Sequence, residues 1–351
     1  MKKMSLKSMK KSTRRSFLTY AFVIAAFVIL QIMNGAGALS FSLQGMLVPI
    51  CAYVVMAVSL NLTVGILGEL SLGHAGFMSV GALTGVTAAM ALQNVIPFAP
   101  LRLALGMAVG ALLAAVVGFL IGIPVLRLKG DYLAIVTLAF GEIIKSIFTN
   151  LYVGVDSRGL HVRLLSNITD LGEGGFMIVR GPMGMGGVSK ISTFTAGFIL
   201  VMISLAVVFN LVNSRAGRAI MSIRDNRIAA ESIGLNITKY KMMAFVVSAA
   251  MAGAAGALFA MNYSTIVATK FDFNTSILVL VFVVLGGLGN MLGSIIAAAL
   301  LTILPEALRS FADYRMLVYA IVLILVMLAT NSPTLRTWID TLTGRRKKEA
   351  A

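Results

Sequence analysis

The side chains that could carry chemistry are few, and they form no catalytic set. Glu142 and Lys145 lie three residues apart in one apolar stretch, so on a helix they can neutralise each other. This pair either is a structural ion pair or lines a polar pathway or a subunit interface. His74 follows Gly73 with no second histidine or carboxylate at metal-ligand spacing. We therefore expect a hydrogen-bonded residue at a helix end and no metal site.

The sequence contains no Ser–His–Asp arrangement and no paired catalytic carboxylates. It also lacks a phosphate-binding loop of the form G-x-x-x-x-G-K-[ST], because the dipeptide Gly-Lys never occurs. We therefore predict a non-catalytic protein without a cofactor, in which any use of ATP depends on another polypeptide.

Two glycine-rich segments interrupt otherwise apolar runs. The first extends over residues 65–76 and the second over residues 285–293. Glycine-interrupted segments at corresponding places in two halves indicate a transport pathway, although tight turns between helices would give the same pattern. The candidate pathway or interface residues are Glu69, His74, Glu142, Lys145, Gly286, Gly287, Gly289 and Gly293.

Composition defines the class of protein that must position these residues. The 351 residues are 59% hydrophobic and 12% charged, with a mean hydropathy of +0.95, whereas soluble domains are about 45–50% apolar and about 25% charged. This composition disfavours a soluble enzyme. The long unbroken apolar runs disfavour a membrane β-barrel, whose strands alternate apolar and polar residues. We predict an all-α polytopic membrane protein with about ten transmembrane helices. They lie at about 17–36, 41–63, 72–92, 102–124, 132–151, 194–213, 242–262, 276–288, 290–305 and 314–330.

The net charge of +16 fits this topology better than it fits a nucleic-acid surface. Ten spans place both termini on one side, and 20 of the 29 Lys and Arg residues fall on that side. By the positive-inside rule this side is the cytoplasm. The predicted domains are a basic tail 1–16, a permease domain 17–330 and a basic tail 331–351. The first apolar run could instead be a signal peptide, but we expect it to be retained.

Small residues recur every fourth position in the fourth predicted span, at Gly106, Gly110, Ala114, Gly118 and Gly122. This spacing places them along one helix face. Because lipid provides little hydrophobic force between helices, such faces allow close backbone approach. We expect a tightly packed bundle, and Cys51, as the single cysteine, excludes an internal disulfide.

Two connecting segments are long and polar, an outer one at 152–192 and an inner one at 214–241. In the inner one, Asp225 or Asn226 can cap a short helix of about two turns, and Gly234 suits its left-handed end. Such an exposed helix could seat in a groove of a partner protein, although an idle basic loop is the alternative. The candidate contact residues are Asn226, Arg227, Ala229, Ala230, Glu231 and Gly234.

The inner segment resembles the EAA-type coupling loop of bacterial ABC importer permeases. The similarity lies in Gly217-Arg218-Ala219 followed by N-R-I-A-A-E-S-I-G at 226–234, although the letters E-A-A do not occur in that order. Segments 69–77, 128–138 and 285–294 are similar to the M-type permease of branched-chain amino acid importers. Gly181–Gly187 is similar to that family's outer glycine-rich segment, whereas 156–179 matches nothing familiar.

The resemblance implies a complex in the bacterial cytoplasmic membrane. This chain would pair with a homologous H-type permease, two ATP-binding cassette subunits and an external solute-binding protein. Its cargo would be leucine, isoleucine or valine, with urea, amides or other amino acids as alternatives. Because the binding protein would supply the selectivity, we expect no tight charged substrate pocket in this chain. A secondary transporter using Glu69 and Glu142 is the competing class, which the coupling-like loop disfavours.

Overall fold

The computed structural model describes residues 11–93, 95–128, 130–156, 159–165 and 175–308, together with 317, 320, 321 and 324. The chain divides into a unit of residues 1–299 and a unit of residues 300–351. Most of the predicted tenth span, the tail 331–351 and much of 156–179 lie outside the described residues.

The described chain is mostly helical, as predicted. Its α-helices are α1 Lys11–Gly35, α2 Phe41–Asn61, α3 His74–Ala91, α4 Ala99–Val125, α5 Asp131–Asn150, α6 Phe194–Asn213, α7 Arg215–Asp225, α8 Arg227–Ser232, α9 Ile237–Ala260, α10 Phe273–Gly286 and α11 Met291–Ala307. A π-helix, Leu62–Leu67, extends α2, and 3-10 turns lie at Gly181–Met183 and Ala268–Phe271.

Several helices begin where a polar side chain accepts a hydrogen bond from a backbone N–H of the first turn. Such caps satisfy donors that have no partner within the helix. The capping residues are Ser40, Thr193, Ser214, Asn226, Asn236 and Asp272.

Among the described residues, seven helical segments are long and apolar enough to cross a membrane. They are Ser16–Gly35, Phe41–Leu67, Ala99–Val125, Asp131–Asn150, Phe194–Asn213, Ile237–Ala260 and Ala268–Gly286. α11 is a shorter apolar helix. α3 is not among the seven; it begins at His74 and is rich in glycine and threonine. The count of about ten spans therefore stays a prediction.

The predicted small-residue face of α4 is buried, with Gly106, Gly110, Ala114, Gly118 and Gly122 all in the interior. It packs against α3 and α9. A Cβ on Gly110 would lie 2.8 Å from the Gly81 carbonyl oxygen, and one on Gly118 would lie 2.6 Å from the Ala249 Cβ. The small residues thus allow helix axes to approach more closely than any larger side chain permits.

The outer segment corrects the prediction of an all-α fold. It forms strands β1 Leu151–Asp156, β2 Gly159–Leu164, β3 Phe176–Arg180 and β4 Met185–Gly186, which join β5 Thr265–Ile266. The sheet order is β2-β1-β3-β4-β5, with antiparallel neighbours throughout. The sheet escaped prediction because its strands are short and β5 comes from a distant part of the chain.

Candidate coupling and pathway site

The short helix predicted in the inner segment is present as α8. The Asn226 side-chain oxygen accepts a hydrogen bond from the Ala229 N–H at 3.0 Å. At the other end the Gly234 N–H donates to the Glu231 carbonyl and the Leu235 N–H to the Ala230 carbonyl. Gly234 has a φ of +81°, so this end is a Schellman motif that favours glycine. Asn226 and Gly234 therefore act as the two ends of the helix.

One residue of α8, Ala230, was expected to contact a partner but is buried within this chain. Ala230 is 3% exposed and packs with Ile223 and Ile237 in a cluster within this chain. It therefore holds α8 in place and cannot face a partner groove in this conformation. The exposed face instead carries Ile228 and Ile233, which are 80% and 74% exposed. Ala229 and Glu231 are exposed beside them, and Arg227 is half-buried.

A second helix, α7, precedes α8 and was not predicted. Its apolar residues Ala219, Ile220 and Ile223 are buried, whereas Arg215 and Arg218 are exposed. A Cβ on Gly217 would collide with the backbone of Val212, so the glycine permits the sharp turn from α6. The spacing of the buried residues is the sequence signal that could have revealed α7.

The first predicted interruption is a real break in helical structure. α2 passes into the π-helix, which ends at Gly68 with a φ of +80°. The N–H groups of Gly68 and Glu69 both donate to the Thr63 carbonyl, and α3 begins only at His74. Glu69 forms an ion pair with Lys241 on α9. Both side chains are largely buried, at 14% and 5% exposed, so this candidate pathway residue is already neutralised within the chain.

His74 is a hydrogen-bonded residue at a helix end, as predicted. It is fully buried, and its Nε2 lies 2.8 Å from the Ser248 hydroxyl. Ser248 in turn donates to the Ser59 carbonyl at 2.6 Å. The histidine therefore joins α3 to α9 and α2.

The second interruption is equally real. α10 ends at Gly286, and α11 begins at Met291. Between them Gly287 and Gly289 have φ values of +90° and +77°, a backbone conformation that favours glycine. Gly286 and Gly293 lie against each other where the two helices cross, so neither can carry a side chain.

The two interruptions meet in space through Asn61. Its side-chain oxygen accepts a hydrogen bond from the Gly289 N–H at 2.8 Å, and its amide donates to the Ser294 hydroxyl at 2.9 Å. A Cβ on Gly65 would lie 2.9 Å from the Gly289 Cα, so the backbones touch. Sequence reasoning missed Asn61 and Ser294. A polar residue isolated inside an apolar helix was the signal that could have found Asn61.

The Glu142–Lys145 pair forms as predicted, with 2.9 Å between Nζ and Oε2. It lies on α5, where the Glu142 side chain is 42% exposed and the Lys145 side chain 26%. A cavity of about 10 Å³ adjoins Glu142, with Gly76, Asp272 and Ser276 also in its lining. That volume holds about one water molecule, so this cavity cannot take an amino acid in the present conformation.

Apolar helices, glycine interruptions that meet within the bundle and a capped helix pair on a basic loop together define a polytopic membrane transport component. Comparison with known families agrees. Residues 42–327 match the family described as "Branched-chain amino acid transport system / permease component". The chain belongs to this family.

Individual relatives give the same result. The chain is 34% identical to the high-affinity branched-chain amino acid transport system permease protein LivM of Salmonella typhimurium, over 96% of this chain and 79% of the relative. It is 36% identical to LivM of Escherichia coli K12, over 79% of this chain and 66% of the relative. The permease LivH of Escherichia coli K12 is 26% identical, over 79% of this chain and 88% of the relative. No solved structure matches this chain.

Proposed function

We propose that this chain is the M-type permease subunit of an ABC importer for leucine, isoleucine and valine. The observation that carries the proposal is its family membership together with 34% identity to a LivM permease over nearly its whole length. The subunit moves its cargo by alternating access and hydrolyses no ATP itself. Separate ATP-binding cassette subunits supply the energy, and an external binding protein delivers the cargo.

The helix pair α7–α8 is the contact with the ATPase subunits. The apolar side chains of Ile228 and Ile233 stand out on an otherwise polar surface, which is typical of a helix that docks in a partner's groove. Ala229 and Glu231 complete this face. Asn226, Gly234 and Ala230 fix the shape and seat of α8, and Arg227 borders it. Motion of the ATPases then reaches the bundle through α7 and α9, which flank α8 in the chain.

The Glu142–Lys145 face of α5 turns toward the second, H-type permease and borders the pathway between the two subunits. An exposed charge near the bilayer centre costs about 2.5–3.5 kcal/mol on insertion scales. Glu142 and Lys145 are both partly exposed on a membrane-spanning helix, so contact of this face with lipid would be unfavourable. The turn around Gly65 is buried in the protein and lies against the Gly289 backbone, and irregular backbone is tolerated in such a place.

The subunit lies in the bacterial cytoplasmic membrane with both termini in the cytoplasm. Residues 1–16 and 331–351 are the cytoplasmic tails of a permease domain spanning 17–330. The distribution of Lys and Arg supports this orientation. The five-stranded sheet then lies on the outer side, at the end from which the binding protein approaches.

Uptake by a reconstituted complex tests the function. The chain is co-expressed with an H-type permease, ATP-binding cassette subunits and a solute-binding protein from the same organism. The purified complex is placed in proteoliposomes with ATP inside. We expect saturable uptake of radiolabelled leucine that stops without ATP and persists without an ion gradient. Uptake of urea, an amide or another amino acid in place of leucine would change the assigned cargo and leave the assignment as an ABC permease intact. Uptake driven by an ion gradient alone would replace the ABC mechanism with that of a secondary transporter.

A further inference from the structure

The Arg224 side chain connects the last turn of α7 to the break at the end of α2. Its Nη1 donates to the Gly65 carbonyl at 3.1 Å. Its stem lies over Gly68, where a Cβ would come within 2.5 Å of the Arg224 Cγ. Asp225 accepts hydrogen bonds from Nε and Nη2 at 3.0 and 2.8 Å. Asp225 occupies the Nε–Nη2 edge of the planar guanidinium, and an N–H of Nη1 is directed at the Gly65 carbonyl.

The bond from Arg224 gives the Gly65 carbonyl a hydrogen-bond donor at the end of the helix. Carbonyls in the last turn of a helix have no partner within it, and here the chain leaves helical geometry at Gly68. Arg224 therefore supplies a charged donor to a backbone group that lipid could not satisfy. Glycine at position 68 allows the arginine stem to cross this turn.

Gly65 is also the point where the two interruptions touch. Its backbone abuts Gly289, and Asn61, one turn earlier, holds the Gly289 N–H. A displacement of α7 is thus applied through Arg224 directly to the crossing of the two broken helices. The Glu69–Lys241 ion pair provides a second connection, from the same break to the start of α9.

We propose that Arg224 is a positioning residue that makes the Gly65–Gly289 crossing follow the movement of α7 and α8. This inference rests on the proposed function, since it assumes that ATPase subunits move the helix pair. The Arg224 side chain transmits the movement, and the backbone contact between Gly65 and Gly289 receives it. Arg224 contacts neither cargo nor ATP in this assignment, so its loss separates ATP hydrolysis from transport.

The test measures leucine uptake and ATP hydrolysis in the same proteoliposomes containing the complete complex. In Arg224→Ala we expect ATP hydrolysis to stay within about twofold of the unaltered complex, whereas leucine transported per ATP falls at least fivefold. Arg218→Ala is the matched control. Arg218 lies on the same helix and its Nη1 also donates to a backbone carbonyl, that of Asn213 at 3.2 Å. That bond stays within the α6–α7 turn and does not reach Gly65. If Arg218→Ala weakens ATPase docking, hydrolysis and uptake fall together, so the leucine transported per ATP stays unchanged.

A second variant reaches the same contact from the other side. Gly68→Ala places a methyl group against the Arg224 stem and strains the turn, because φ is +80° at this position. It should therefore lower the ratio without removing a charge. The double variant should be no worse than the more severe single one, because both disrupt one contact. If Arg224→Ala does not assemble, Arg224→Lys compared with Arg218→Lys gives the same comparison with the charge retained.

The outcomes separate this inference from the proposed function. An unaltered complex without ATP-driven uptake would refute the function, and this inference with it. With uptake established, a normal transport ratio in Arg224→Ala would overturn the assignment of Arg224 alone. Equal loss of ATP hydrolysis and uptake would also overturn it, because Arg224 would then act only in docking the ATPases.

Discussion

Asn61 accepts a hydrogen bond from the backbone N–H of Gly289 at 2.8 Å, across 228 residues of sequence. The bond joins the end of α2 to the turn between α10 and α11, where both helical paths are broken. The Asn61 amide also donates to Ser294 on α11, so one side chain holds both sides of the second break. Asn61 and Ser294 are both fully buried, so water cannot replace the bond between them.

Removal of the Asn61 amide should destabilise the protein. Asn61→Ala leaves the Gly289 N–H and the Ser294 hydroxyl without this partner, and a buried unsatisfied polar group costs about 1–3 kcal/mol. We expect a Tm that is lower by several degrees in detergent. Size-exclusion chromatography of heated samples measures this Tm. Asn213→Ala is the control, since Asn213 is exposed and its amide donates to the Phe209 carbonyl of its own helix. Equal Tm values for the two variants would argue against a structural role of Asn61.

Close packing of α4 on α9 predicts that an added methyl group destabilises the protein at Gly118 but not at Gly45. Gly118→Ala brings a Cβ to 2.6 Å from the Ala249 Cβ, and overpacking of this kind costs about 1–3 kcal/mol. Gly45→Ala, within α2, meets nothing within 4 Å. The yield of monodisperse protein should fall in the first variant and stay unchanged in the second. Tolerance of Gly118→Ala would mean that α4 and α9 can separate.

Two substitutions on α8 should fail for different reasons. Ile228→Glu changes an exposed side chain, so the protein should accumulate normally while leucine uptake by the complex falls about tenfold or more. Ala230→Glu forces a carboxylate among Ile223 and Ile237, and burial of an unpaired charge is costly, so the protein itself should be lost. Immunoblots of membranes and uptake assays distinguish the two. Normal uptake in Ile228→Glu would remove α8 as the ATPase contact.

Membrane orientation predicts opposite labelling of two exposed lysine positions. Lys190 precedes α6 and Lys239 lies in the first turn of α9. Cys51, which is buried and free, is first replaced by alanine. Lys190→Cys should then react with an impermeant maleimide in intact cells, and Lys239→Cys only in inverted vesicles. Labelling of both positions from the same side would mean that an even number of spans separates them, which contradicts the single span α6 expected between them.

The ion pair on α5 predicts a rescue experiment. Glu142→Gln leaves the Lys145 ammonium without the carboxylate 2.9 Å away, and an unpaired charge in the membrane is unfavourable. We expect slower uptake or poorer assembly with no change in cargo preference. Lys145→Met added to Glu142→Gln should restore assembly, because it removes the unpaired charge. Saturable sub-micromolar leucine binding by the permease pair alone, lost in Glu142→Gln, would instead indicate a substrate site.

The contrast between α8 and α7 shows why some elements were predictable. Asn226 and Gly234 mark the two ends of α8 through local backbone chemistry, so the residues themselves reveal the helix. The spacing of small residues on α4 likewise revealed a packing face, because helical periodicity is fixed by the backbone. α7 carries only a short amphipathic pattern among many charges, and β5 is two residues long. β5 forms only because it pairs with β4, a strand that is distant in sequence, whereas α7 had a signal in the spacing of its buried residues.

The sequence by itself determined the class of protein, the positions of both glycine interruptions and the family. These follow from hydropathy, from the backbone freedom of glycine and from short motifs, all of which act locally. Only the tertiary structure decided that the two interruptions touch, that Ala230 faces inward and that Arg224, Lys241 and Asn61 hold the breaks together. The reason is physical. A side chain pairs with the polar groups that packing brings close to it, and the linear order of residues does not specify which groups those are.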